Sequence, residues 1–151
     1  MSNVSTVHDA ILTRLASLFA YKTRLPNAYA ETDNHEHYLR DGYALRYDGE
    51  SLASGQFNTI VNQHDFTIIF TRELVRVDAD VAEFDVVVKA LLEDVATTRK
   101  DFYEVDGLGT TAVERITPNS TSAITQVYGG KNNFFKIETG FAMNIKEEYP
   151  C

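Results

Sequence analysis

The chain of 151 residues contains no tryptophan, three prolines and a single cysteine, Cys151, at its last position. A lone thiol closes no internal disulfide, so the composition argues against a secreted disulfide scaffold and for a reducing compartment. At a chain end, Cys151 also has no pocket to lower its pKa and make it a nucleophile. Basic side chains are scarce: 14 Lys and Arg stand against 22 Asp and Glu, for a net charge of −8. A surface that grips nucleic acid carries a basic footprint, and none is available here; a surface that nucleic acid slides past remains compatible with this charge. No apolar run approaches the roughly 20 residues a membrane span needs. The N-terminus lacks the basic-then-apolar pattern of a signal peptide. No G-x-S-x-G elbow is present, and no residue pattern points to a cofactor.

What the sequence does contain is periodicity. From Phe135 to Ile145 the residues Phe135, Ile137, Phe141, Met143 and Ile145 take every second position, broken only by Thr139. Lys136, Glu138, Gly140, Ala142 and Asn144 lie between them. Such alternation predicts one strand face on a core and the other on solvent or a partner. At about 3.3 Å per residue this strand runs roughly 35 Å, near twice the usual length.

Earlier in the chain, Val7, Ile11, Leu15, Leu18 and Phe19 recur at helical spacing. Ser5 or Thr6 is the expected cap, with Asp9 completing a capping box after Thr6, and the end is expected near Tyr21. Residues 22–42 hold no sustained period and read as a long ordered loop or arm, or as one hiding a short strand around Tyr29. Tyr43, Leu45 and Tyr47 alternate up to Asp48-Gly49, a turn signal. Phe66, Ile68 and Phe70 oppose Thr67, Ile69 and Thr71 in a second β pattern. Two or three antiparallel strands are expected between 43 and 76. Asp78 or Asp80 can cap a second helix over about 80–103, with a core stripe of Val81, Phe84, Val88, Leu91 and Val95, widened by Val87 and Leu92 and extended by Phe102. Strands then follow at 110–117, 122–128 and 133–147, with turns at Thr117-Pro118-Asn119 and Gly129-Gly130. The whole reads as a single α+β domain, residues 1–151: two main helices on an antiparallel or mixed sheet, in the order helix, strands, helix, strands, ending in a long strand.

Candidate chemistry is thin. Asp33, His35 and His37 form the one compact group of metal-capable side chains. Imidazoles at i and i+2 of an extended segment point opposite ways, so a metal there needs ligands from elsewhere, and no metal site is expected. The neighbours His8-Asp9 and His64-Asp65 diverge on a helix or strand and make no relay by adjacency. Gly107 and Gly109 follow a helix, the reverse of a phosphate loop, and Gly129-Gly130-Lys131 lacks P-loop spacing, so both read as turns. The acidic run Glu93, Asp94, Asp101, Glu104 and Asp106 is a solvated face or the lining of a passage. Phe66, Phe70, Phe135 and Phe141 either fill the core or line an apolar ligand pocket between sheet and second helix.

The layout resembles a family, the tail terminator (tail completion) proteins of long-tailed bacteriophages. The matching features are the helix Val7–Phe19, the strand Phe66–Leu74, the helix Val81–Phe102 and the closing segment Phe141-Ala-Met-Asn-Ile-Lys. The resemblance is one of order, size and pattern over most of the chain and carries no diagnostic motif. It implies a non-enzymatic virion protein at the head-proximal end of the tail, assembled in the host cytoplasm. It further implies a homohexameric ring that stops tail-tube growth and joins tail to head, with the tail tube protein and the head–tail connector protein as partners. DNA would pass its lumen without specific binding, helped by a net-negative wall that repels phosphate. The family has no contact motif to carry across. Tyr29, Tyr38 and Tyr43 are the residues expected at a subunit interface, because tyrosine-rich arms suit interfaces. A small ligand-binding α+β domain, or another connector or tube subunit, are the alternative functions.

Overall fold

Among the described residues two helices and six strands follow one another as α1 (Asn3–Leu18), β1 (Thr23–Arg24), β2 (Gly42–Gln56), β3 (Thr59–Leu74), α2 (Val81–Glu104), β4 (Val113–Thr121), β5 (Thr125–Gly129) and β6 (Asn132–Glu148). A 3-10 turn, Asp106–Gly109, links α2 to the last three strands. The computed structural model describes residues 2–25, 41–56, 59–74, 81–104, 106–129 and 132–148. The strands form one mixed sheet in the order β1-β2-β3-β6-β4, with β5 also on β6. Among the described residues only the β1–β2 pairing is parallel; every other is antiparallel. The α+β class and the element order expected from sequence are what the chain adopts.

β6 is the spine of the sheet. One edge pairs with β3 without interruption from Thr59↔Glu148 to Leu74↔Asn133. Its other edge takes β5 near its start and β4 further along. The alternating row Phe135, Ile137, Phe141, Met143 and Ile145 is buried on the helix-bearing face. Thr139, the interruption in that row, is fully buried too. Its hydroxyl lies 3.1 Å from that of Thr121, which in turn accepts from Arg99 Nη2 at 2.6 Å. The polar residue is therefore satisfied rather than tolerated.

α1 buries Val7, Ile11 and Leu15, three positions four apart and hence on one face. Its cap is Ser2, not Ser5 or Thr6: the Ser2 hydroxyl accepts from the Ser5 amide at 3.1 Å. The helix starts early because β6 supplies a second acceptor. Glu147 Oε1 takes the Asn3 and Val4 amides at 2.8 and 3.3 Å, placing a carboxylate at the positive end of the helix.

α2 occupies the span expected of it and buries most of the expected stripe. Val87, Leu91, Val95 and Phe102 face the core together with Asp94 and Thr98, whereas Val81 and Leu92, expected inside, are exposed. Asp94 takes the core side because distant residues meet it there, and the Thr98 hydroxyl is satisfied within the helix, donating to the Asp94 carbonyl at 2.9 Å.

Two expected turns are bulges instead. Tyr47 pairs with Phe66 and Gly49 with Asp65, so Asp48 is an inserted residue and β2 continues to Gln56. Gly49 carries a φ of +117°, open to glycine and strained for other residues. Thr117-Pro118-Asn119 likewise lies inside β4, where the register breaks between Pro118 and Thr121. Proline is tolerated there because β4 is at the sheet edge. Between 43 and 74 the chain forms two strands, β2 and β3, paired from Gly42↔Thr71 to Gln56↔Thr59. β5 ends at Gly129 opposite Asn132, in keeping with a turn at Gly129-Gly130, although Gly130 itself lies outside the described residues. At the base of the expected arm, Thr23 and Arg24 pair with Gly42 and Tyr43. A Cβ on Gly42 would lie 2.7 Å from Leu25 Cδ2 and 2.9 Å from the Thr23 carbonyl, so glycine is what allows this approach. The remainder of the arm, residues 26–40, lies outside the described residues.

Candidate functional site

β2, β3 and β6 carry a polar cleft on the sheet face opposite the helices. The Asp48 bulge aims its carboxylate into this face, where it accepts from Arg46 Nε at 2.7 Å and from the Thr67 hydroxyl. Arg46 Nη1 donates onward to Glu138 Oε1 at 3.1 Å. Burial works against the Arg46 charge, but the two carboxylates more than offset it and hold its pKa above the usual value. Asn119, Ser120 and Ser122, from the irregular end of β4 and the link to β5, close the cleft to about 210 Å³. Gly140 makes room for them: a Cβ there would lie 3.1 Å from Asn119 Cβ. The cleft is thus an internally paired network, with Arg46 between two acids. It presents no activated nucleophile.

On the other face, Tyr47, His64 and Glu50 form a chain of polar contacts. Tyr47 Oη lies 2.9 Å from His64 Nδ1, and Glu50 Oε2 lies 3.5 Å from His64 Nε2. The layout looks like a relay, but the electrostatics run the wrong way for one. Burial lowers the His64 pKa despite the raising effect of Glu50, Glu147 and Asp65. Burial, with Glu50 and Asp65, raises that of Tyr47. The imidazole stays neutral and the phenol stays protonated, which suits a structural hydrogen bond. Beside it a groove of about 320 Å³ runs between the start of α1 and the rings of Tyr47 and Phe66, with Val4, His8 and Asp9 on its wall.

A third cluster ties α2 to the sheet. Asp94, 2% exposed, receives Arg72 Nη2 at 2.9 Å and Nε at 3.2 Å, and Lys22 Nζ lies 3.1 Å away. Lys22 also donates to the Thr71 carbonyl at 3.3 Å, and the Tyr21 hydroxyl reaches Asp94 at 3.4 Å. Burial pushes the Lys22 pKa below the ordinary lysine range, with Asp94 pulling the other way. A buried carboxylate between two cations fastens α2, β3 and the segment after α1 together. Asp101 is likewise bound, by Arg14 Nε at 2.6 Å. Two members of the acidic run are therefore structural ion-pair partners, not a solvated or lumen-lining face.

The residues singled out from sequence fall as follows. Tyr43 is 6% exposed and belongs to the chain's own core, which leaves little of its ring for a neighbour. Tyr29, Tyr38, Asp33, His35, His37 and Cys151 lie outside the described residues. Phe66, Phe70, Phe135 and Phe141 are all buried in one continuous core, and Phe66 also reaches the wall of the groove beside α1. His8 meets Asp9 at 3.6 Å on the surface of α1. Among the described residues no group of three or more His, Cys, Asp or Glu is placed to hold a metal, and no helix is long and apolar enough to cross a membrane. Sequence reasoning missed Arg46, Asp48 and Glu138, although Arg46 and Asp48 at i and i+2 next to a glycine carried a signal for a shared strand face.

The surfaces best placed to meet other molecules are a sheet edge and a helix face. Among the described residues the outer edge of β2 is paired with β1 only at Gly42 and Tyr43. The outward side of α2 exposes Val81, Val86, Leu92 and Tyr103. No known protein-family model matches the chain, and no curated protein matches it.

Proposed function

We propose that this chain is a structural subunit of a long-tailed bacteriophage virion, a tail terminator that closes the tail tube as a homohexameric ring and joins it to the head connector. The observation that carries this reading is the sheet. β2, β3 and β6 run for 15, 16 and 17 residues, roughly three times the usual strand. From Ala44 to Gln56 the outer edge of β2 carries no strand pairing among the described residues. A long edge of main-chain donors and acceptors is where a neighbour's strand adds. Head-to-tail addition of identical subunits closes into a ring when the rotation fits. The elements that carry the resemblance, a helix, a strand group, a second helix and a long closing strand, support the same reading.

The mechanism is geometric: one ring face fits the last ring of the tail tube and the other fits the connector. A neutral His64, a protonated Tyr47 and a doubly paired Arg46 favour a scaffold over an enzyme. The net charge of −8 disfavours phosphate binding and so favours free passage of DNA. Imaging the purified chain alone and mixed with terminator-free tail tubes tests the reading. Six-fold rings, free or on tube ends, support it; bare tube ends and no ring under any condition refute it.

A further inference from the structure

α2 carries apolar residues on two sides, and only one side is used inside the chain. On another, Val81 is 77%, Leu92 51% and Tyr103 81% exposed, while the exposed Val86 lies off this line. Ala96 is exposed and Val88 half-buried along the same line. Single exposed apolar residues need no explanation. These do, because of their order. Together with Asp85 and Arg99 they climb the helix in steps of four, three, four, four, three and four from Val81 to Tyr103. That series averages close to the helical repeat, so the row stays straight. It also reads the same from either end, with Leu92 in the middle.

A row with that symmetry is complementary to its own reversal. Turned end for end, Val81 meets Tyr103, Val88 meets Ala96, and Leu92 meets itself. Asp85 meets the turn bearing the exposed Lys100, next to Arg99 that Asn119 and Thr121 hold, so opposite charges face each other twice. The parallel alternative puts Asp85 on Asp85 and Arg99 on Arg99, which like-charge repulsion disfavours. We propose that α2 docks antiparallel against α2 of a second copy of this chain, across a two-fold axis at Leu92. The contact is isologous, as two-fold contacts are. It leaves the β2 edge uncovered and so stands apart from the ring reading. Two free subunits, or two rings, can meet through it.

Sedimentation velocity of the full chain over roughly 1–100 µM, the range of modest protein affinities, reads the contact as a dimer that grows with concentration. Leu92→Asp at the centre weakens it by about tenfold or more. Asp85→Lys and Lys100→Asp each weaken it, and the two together restore it; Lys100 is chosen because Arg99 also holds the Asn119 carbonyl and Thr121. In a Cys151→Ser background, Leu92→Cys oxidises to a covalent dimer, since helix axes about 8–10 Å apart bring residues on a two-fold within disulfide reach. All these positions lie on the exposed side of α2, and far-ultraviolet circular dichroism confirms that each variant is folded. A monomer at every concentration overturns the proposal. So does association that Leu92→Asp leaves unchanged, or a double charge swap that restores nothing. A six-fold ring that is the sole assembled species of the parent chain, and that Leu92→Asp leaves unchanged, refutes the helix contact while leaving the ring reading intact.

Discussion

Asp94→Asn is the substitution whose consequence follows most directly from the structure. Asp94 is 2% exposed and is the one carboxylate within ion-pair reach of the fully buried Lys22 side chain among the described residues. The amide keeps the shape and removes the charge, leaving the Lys22 ammonium in the interior beside the Arg72 cation. Breaking a buried pair from one side costs about 3–5 kcal/mol. For a chain of this size each kcal/mol lowers the Tm by about 2–4 °C, so the melting point falls by roughly 10 °C. Lys22→Met costs less, because Asp94 retains both contacts from Arg72 and the methionine stem keeps the packing. The asymmetry is the test. The pH dependence follows with its sign: burial already holds the Lys22 pKa below its ordinary 10.5, and losing Asp94 lowers it further. The unfolded chain then binds more protons than the folded one over a wider range below 10.5, so the stability of Asp94→Asn rises with pH through that range. Urea unfolding monitored by circular dichroism at pH 7 and pH 9 measures both effects. Asp94→Asn within about 1 kcal/mol of the parent, below the usual cost of a broken buried pair, refutes the reasoning, as does a larger loss from Lys22→Met.

Adjacent leucines on α2 should behave oppositely: Leu91→Ala destabilises by about 2–5 kcal/mol, and Leu92→Ala changes the monomer by no more than about 0.5 kcal/mol in thermal melts. Gly140→Val crowds Asn119 at the cleft, and a loss of about 1–3 kcal/mol is expected by urea titration. Thr139→Val removes one of the two partners of the half-buried Thr121 hydroxyl, which keeps Arg99, and costs about 1 kcal/mol in the same assay. His64 has a folded pKa below its ordinary 6.5, so its contribution to stability is present above that value and is lost as pH falls below it. His64→Gln flattens the stability profile between pH 7 and pH 5; an unchanged slope places the dependence on other groups.

Legibility in the sequence divided along physical lines. The core stripe of α1, the alternation of β6 and the span of α2 were readable because periodicity is a local property of the chain. The inward stripe of α2 was readable in the main, but not its margins, where Val81 and Leu92 are exposed and Asp94 is buried, since valine and leucine occur around the whole helix. The choice is made by Lys22 and Arg72, which draw Asp94 into the core from distant segments. The α1 cap was misplaced for a similar reason, because Glu147 reaches it from the last strand. Asp48-Gly49 and Pro118-Asn119 looked like turns because bulges and turns use the same residues, and only the partner strand decides between them. The polar cleft was half visible in Arg46 and Asp48 on β2. Its other half, Glu138 and Gly140, lies some ninety residues on in β6 and comes to it only through the register with β3.

The central claim, that this chain closes into a ring on a tail tube, is tested most directly by light scattering on the purified protein at two concentrations and two salt levels, alone and with tail tubes. A mass six times that of one chain, in free solution or only once tubes are added, is the result the account predicts. A monomer or dimer that never goes further, even beside tube and connector proteins, would contradict it.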